Sequence, residues 1–173
     1  MAEVGNAIGV VVVTGVATAV EELAGEWCAA ELLMREAVEQ LDAMDHGWQD
    51  RYRLELALLV ARQGRLEEAR EAVAACEPSA DPWALLVRAS ILAVLGRHAE
   101  AVALARAAAE ELAGRDSPHM RARAYEALAD VLVAAGRRAE AVTVLEEAAR
   151  AWDAKAATLP AEKARARAAE LGA

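Results

Sequence analysis

Three histidines, two cysteines and several clustered carboxylates are the groups in this 173-residue chain that could serve as metal ligands, nucleophiles or acid–base pairs. His46, His98 and His119 stand far apart, and none falls in an H-E-x-x-H or comparable ligand spacing. In "DAMDH", Asp42, Asp45 and His46 share a helix end and could hold a metal weakly, but a solvated polar turn is the simpler reading. Cys28 and Cys76 lack C-x-x-C spacing, and both fall in helical patterns, which points to reduced thiols rather than a disulfide framework. Ser79, Ser90 and Ser117 have no G-x-S-x-G context. The glutamate pairs 21/22, 67/68, 110/111 and 146/147 read as helix surface that offers partners to arginine, such as Glu67 to Arg70. No catalytic constellation, metal set or cofactor motif emerges, so the expectation is a non-enzymatic protein with no cofactor.

The stretch "IGVVVVTGVATAV", residues 8 to 20, imitates two nucleotide-binding motifs. A P-loop needs G-x-x-x-x-G-K-[ST], which supplies a lysine to the phosphates. Gly9 and Gly15 enclose five residues here, and Val16 stands where the lysine belongs. The run also looks like the first strand of a short-chain dehydrogenase. The glycines that would let a dinucleotide approach the backbone are replaced by "VATAV", and no alternation of strands and helices follows. Both readings fail on their own letters.

The elements that carry these residues are helical by composition. Hydrophobic residues make up 57% of the chain, aromatics only 3%, and there is no Phe. Alanine, leucine, glutamate and arginine, all strong helix formers, dominate, and four prolines interrupt the chain. The fold class is all-α, with a core made by close backbone approach. A net charge of −9 opposes nucleic-acid binding, which requires a basic face. The first basic residue is Arg35, so no secretory signal is expected. Residues 4 to 20 fall short of the roughly 20 apolar residues of a spanning helix, and no membrane association is expected. The expected location is the cytoplasm.

Four short segments repeat: "GEWCAA" at 25, "GRLEEA" at 64, "GRHAEA" at 96 and "GRRAEA" at 136. Five residues after each glycine is an alanine: Ala30, Ala69, Ala101 and Ala141. Seven before it is a small residue: Thr18, Ala57, Ala89 and Ala129. Twelve after it is another: Ala37, Cys76, Ala108 and Ala148. Nine after it is an apolar residue: Met34, Val73, Ala105 and Leu145. This spacing predicts a helix, a tight turn at the glycine and a second helix, four times over, with the small residues where paired helices cross. Asp81-Pro82 and Ser117-Pro118 read as N-caps followed by proline at the first helical position. Pro160 opens a last helix with an apolar stripe of Ala161, Ala164, Ala168 and Leu171.

In these small-residue, glycine and alanine positions the chain resembles the tetratricopeptide repeat family over about residues 7 to 157. It departs from the family in having its large first-helix aromatic only as Tyr125, and Glu21 where a large apolar residue is expected. Its glycine spacings are 39, 32 and 40 residues, against a family repeat of about 34. The longer units are similar to the repeat regions of bacterial signalling proteins that follow a nucleotide-cyclase or ATPase domain. The resemblance implies a right-handed α-solenoid of four helix-turn-helix repeats, at about 7–45, 47–77, 81–114 and 117–157, with a capping helix at 159–172, in a single domain spanning 1–173.

It also implies a concave groove, lined by the first helix of each repeat, that holds a peptide or helix of a protein partner. By register from the glycines the lining residues are Arg51, Leu54, Leu58, Ala61 and Arg62; Trp83, Leu86, Ser90, Ala93 and Val94; and Arg123, Glu126, Asp130, Val133 and Ala134. Trp83 is the large anchor. Some family members clamp a carboxylate with Lys and Asn at positions held here by Leu54, Leu58, Leu86, Ser90, Glu126 and Asp130, so that clamp is absent. The expected function is a non-catalytic interaction scaffold. The alternative is a regulatory or sensory segment of a larger bacterial signalling enzyme or transcriptional regulator.

In this register residues 7 to 23 are the first helix of repeat 1. Four consecutive valines cover every face of a helix, which predicts burial all round. One face packs on repeat 1, and self-association through residues 8 to 20 is expected to cover the other.

Overall fold

The computed structural model describes residues 2–44, 47–76 and 80–173. Among the described residues there are nine α-helices and no strand. None of these helices is long and apolar enough to cross a membrane. The chain divides into two compact units, Met1–Pro78 and Ser79–Ala173.

In the first unit, α1 (Ala2–Ala24) packs on α2 (Trp27–Met44), α2 on α3 (Gln49–Arg62), and α3 on α4 (Leu66–Ala75). Its core joins Val11 to Ala30, Met34, Ala37, Leu41 and Leu59, with Tyr52 among them. Of the four consecutive valines only Val11 is buried, at 0% exposure; Val10, Val12 and Val13 are 44%, 45% and 68% exposed. The expectation of burial all round is therefore corrected: α1 is packed on one side, through Val11, Thr14 and Thr18. The buried Thr18 hydroxyl donates to the Thr14 carbonyl at 2.9 Å, which satisfies it inside the helix.

In the second unit, α5 (Pro82–Val94), α6 (His98–Ala113), α7 (Pro118–Ala134), α8 (Arg138–Ala154) and α9 (Thr158–Gly172) each pack on the next, and α5 also packs on α7. Large residues such as Leu86, Leu112, Leu132 and Leu145 alternate in its core with alanines at 0–1% exposure, among them Ala101, Ala105, Ala129 and Ala141. The alanines let helix backbones approach closely, and the leucines fill what remains.

The turns follow from the glycines. Gly25, Gly64, Gly96 and Gly136 all have positive φ, between 74° and 85°. At the last three, two hydrogen bonds close the helix end. The Gly64 amide donates to the Ala61 carbonyl and the Arg65 amide to that of Val60; the same pair recurs at Gly96/Arg97 and Gly136/Arg137. This double closure satisfies carbonyls that a helix end leaves open, and it places the next helix one residue later.

Helix starts also match. The Asp81 carboxylate accepts from the Trp83 and Ala84 amides, and the Ser117 hydroxyl accepts from the Met120 amide, each with proline behind the cap. The last helix begins at Thr158, two residues before Pro160. Proline is tolerated there because amides of the first turn have no intrahelical partner in any case. Ala161, Ala164 and Ala168 form its buried stripe.

Candidate functional site

The small-residue positions are all buried. Those seven before each glycine, Thr18, Ala57, Ala89 and Ala129, are 0–1% exposed, and the alanines five after it are 0% exposed. With this register observed, the residues expected to line a groove can be placed one by one.

On α3, Leu54 and Ala61 are packed inside the first unit, Leu58 is half-buried and Arg62 is exposed. Arg51 donates to Glu55 at 3.0 Å and lies 6.0 Å from the centroid of the Tyr52 ring. On α5, Leu86 and Ala93 are buried, Trp83 and Ser90 are half-buried and Val94 is 40% exposed. The Ser90 hydroxyl donates to the Leu86 carbonyl at 3.1 Å.

On α7, Arg123 is exposed and lies 3.7 Å from Glu126. Glu126 accepts from the indole Nε1 of the buried Trp152 at 2.8 Å, and His119 meets the same indole edge-on at 5.2 Å. Asp130 pairs with Arg167 of α9 at 2.5 Å. Val133 is half-buried and Ala134 exposed. The side chains brought to the surface are thus Arg62, Val94, Arg123, Asp130 and Ala134, with Arg51, Leu58, Trp83, Ser90, Glu126 and Val133 partly so. Leu54 and Leu86 belong to the cores, and the carboxylates of α7 are already engaged by α8 and α9.

The first unit holds a cluster that the site reading did not include. Glu31 on α2 is 9% exposed. It accepts from Arg35 at 2.7 and 2.9 Å and from Gln63 at 2.9 Å, and pairs with Arg65 at 2.6 Å. Glu68 bridges the same two arginines at 3.0 and 3.6 Å. Burial alone would raise the carboxyl's pKa; the hydrogen bonds from Arg65, Arg35 and Gln63 outweigh it and hold it at about 2. An analogous clasp joins Arg106 of α6 to Glu140 of α8, which Arg137 also holds. The sequence carries a signal for both: Gly-Arg-x-x-Glu recurs at 64, 96 and 136, and an arginine stands ten residues after Gly25 and Gly96. These groups are saturated by one another, so they tie helices together.

A cavity of about 220 Å³ lies beside that clasp, with an apolar wall of Leu56, Ala57, Val60, Ala72, Ala75 and the buried Cys76. Its charged members are Arg35, Arg53 and Glu68, and each has an opposite charge within 3.0 Å. Asp42 of the weak metal-site reading is the partner of Arg53 at 2.7 Å; Asp45 and His46 lie outside the described residues. Among the described residues no group of three metal-ligating side chains converges.

No protein-family model matches the chain, and no curated protein matches it.

Proposed function

We propose that the chain is a tetratricopeptide-like α-solenoid that acts as a non-catalytic scaffold in the cytoplasm, holding a peptide or helix of a protein partner. The observation that supports this reading is the register of its turns. Four glycines at positive φ are each flanked at fixed distances by fully buried small residues, which is the pattern that carries the resemblance. In this reading the face formed by α5 and α7 offers Trp83 as a half-buried anchor, with Val94, Arg123 and Ala134 exposed on the same two helices. Tryptophan and arginine supply large contact area and directional charge, the combination enriched where binding energy concentrates.

Affinity capture from the source cell tests the reading when paired variants are compared. Trp83→Ala and Arg123→Glu should each deplete the captured partner, while Glu100→Gln on the exposed side of α6 should leave it unchanged. Capture that is equal for all three variants would remove α5 and α7 from the binding surface. A turnover activity in the purified chain would remove the scaffold reading altogether.

A further inference from the structure

Ten large hydrophobic side chains are conspicuously exposed among the described residues, and five of them lie on α1: Val10, Val12, Val13, Val16 and Val20. The others are distributed over other elements, where single exposed apolar residues are ordinary. On α1 they form a surface. Gly9, Val13, Val16 and Val20 are all exposed and follow one another at spacings of four, three and four residues. Val10 and Val12, at 44% and 45% exposure, flank that line on either side. It runs opposite the packed face of Val11, Thr14 and Thr18. Eleven residues in three turns is about 3.67 residues per turn, close to the 3.6 of a straight helix, so the line stays on one face along which a second helix can lie.

The pattern also indicates what covers this line. No charged residue occurs between Glu3 and Glu21, whereas the chain as a whole carries −9. A partner presenting charges would lose their hydration here with nothing of opposite sign to meet. Two copies of this acidic chain would repel one another over most of their surface and can meet without charge along this stretch. The occupant that fits is an uncharged helix with a matching apolar line, and α1 presents one. Nothing lies within 4 Å of a Cβ placed on Gly9, so a second backbone can approach closely there. Valine is stiff about χ1 and loses little freedom on burial, which lowers the cost of ordering the interface.

We propose that α1 is a self-association helix: two copies of the chain pair α1 against α1 along Gly9, Val13, Val16 and Val20, the same patch serving on both sides. A two-fold contact of this kind is self-complementary and closed, so it yields dimers rather than filaments. The line from Gly9 to Val20 spans about 17 Å of helix at 1.5 Å per residue. A strip of that length and one helix diameter, roughly 10 Å, in width falls well short of the roughly 800 Å² per partner of a standard stable interface, so the dimer dissociates on dilution. The inference is independent of the groove on α5 and α7, and either can fail without the other.

Sedimentation of the full chain from micromolar to near-millimolar concentration tests it. A reversible monomer–dimer equilibrium is expected. Val13→Glu combined with Val16→Glu should weaken it by about a hundredfold or more, because burying unpaired carboxylates is costly, while circular dichroism stays helical. Leu159→Glu, at an exposed leucine of the second unit, should leave the equilibrium unchanged. Should the double variant lose its helicity, oxidative cross-linking decides. With Cys28, an exposed free thiol, replaced by serine, Val16→Cys should give a disulfide-linked dimer and Ala134→Cys should not. A chain that stays monomeric throughout overturns the proposal. So does a dimer that survives both glutamates, absence of the Val16→Cys cross-link, or a monomer that floats with phosphatidylcholine vesicles.

Discussion

The hydroxyl of Tyr52 on α3 stands 3.1 Å from the point a Cβ on Gly15 of α1 would occupy. Glycine inside a helix ordinarily costs about 1 kcal/mol relative to alanine, and here it leaves room for a buried phenol. Gly15→Ala therefore sets two effects against each other: gained helix propensity, and displacement of an aromatic ring that is 6% exposed and confined by its neighbours. We expect Gly15→Ala to lower stability by about 1 kcal/mol in the parent chain. Combined with Tyr52→Phe, which removes the crowding oxygen, the same change should be neutral or stabilising. Urea denaturation of the four proteins gives the coupling, expected at about 1 kcal/mol. Strict additivity would show that the ring yields freely and that Gly15 serves no packing role.

Ala156 tests the turn geometry from the other direction. It has φ of 58°, the one positive φ at a non-glycine position among the described residues, and it joins α8 to α9. Its amide donates to the Asp153 carbonyl and the Ala157 amide to that of Trp152, the same double closure as at the glycine turns. A left-handed conformation costs an L-residue with a Cβ roughly 1–2 kcal/mol. Ala156→Gly should relieve part of this and stabilise by about 0.5–1 kcal/mol, offset somewhat by the greater freedom of glycine in the unfolded chain. Gly136→Ala should cost about 1 kcal/mol or more. Thermal unfolding midpoints that move the same way in both variants would contradict this account.

The turns and crossings were legible in the sequence because they depend on short-range spacing. A glycine at positive φ, an alanine five residues on and a small residue seven before it all lie within two helices of one another. What was not legible depends on longer separations or on which side of a helix a residue turns. Gln63 is 32 residues from the Glu31 it holds, and although Arg35 lies one helical turn away, nothing near Glu31 in the chain marks Arg65 as its further partner. Leu54 and Leu86 occupy expected lining positions but turn into the cores, since a register counted along the chain does not settle the rotation of a helix about its own axis. Asp130 is held by Arg167, which reaches it from a helix the repeat pattern does not include. The valine run shows the same limit. Its composition covers every face, and only the position of α2 and α3 decides that Val11 alone of the four is enclosed.

The alanines at the crossings are expected to be intolerant of size. Ala101 and Ala141 are both at 0% exposure, five residues after their glycines. Ala101→Leu or Ala141→Leu must push helices apart in the core of the second unit and should cost about 1–3 kcal/mol. Glu100→Gln is the control: its carboxylate is exposed and pairs with Arg97 at 2.5 Å, and an exposed pair of this kind contributes little, so the change should stay within about 0.5 kcal/mol. Similar losses at both kinds of position, measured by chemical denaturation, would mean that the alanines are not crossing points.

The Glu31 cluster makes stability depend on pH in a defined window. Its carboxyl has a pKa of about 2 in the folded chain against an ordinary 4.5. The unfolded state therefore binds a proton more readily than the folded one between those values, and folding stability falls as pH is lowered through that interval. Above about pH 4.5 the carboxylate's contribution is fully present; near pH 2 it is lost as the folded form takes up its own proton. Glu31→Gln keeps the shape but gives up the charge that Arg35 and Arg65 share, and at neutral pH it should cost about 2 kcal/mol. Other carboxylates titrate in the same range, so the informative quantity is the difference between parent and variant rather than either curve alone. That difference should be constant from neutral pH down to about 5 and shrink steadily toward pH 2. A difference that stays flat to the lowest pH would mean that Glu31 is not held as a carboxylate by its arginines.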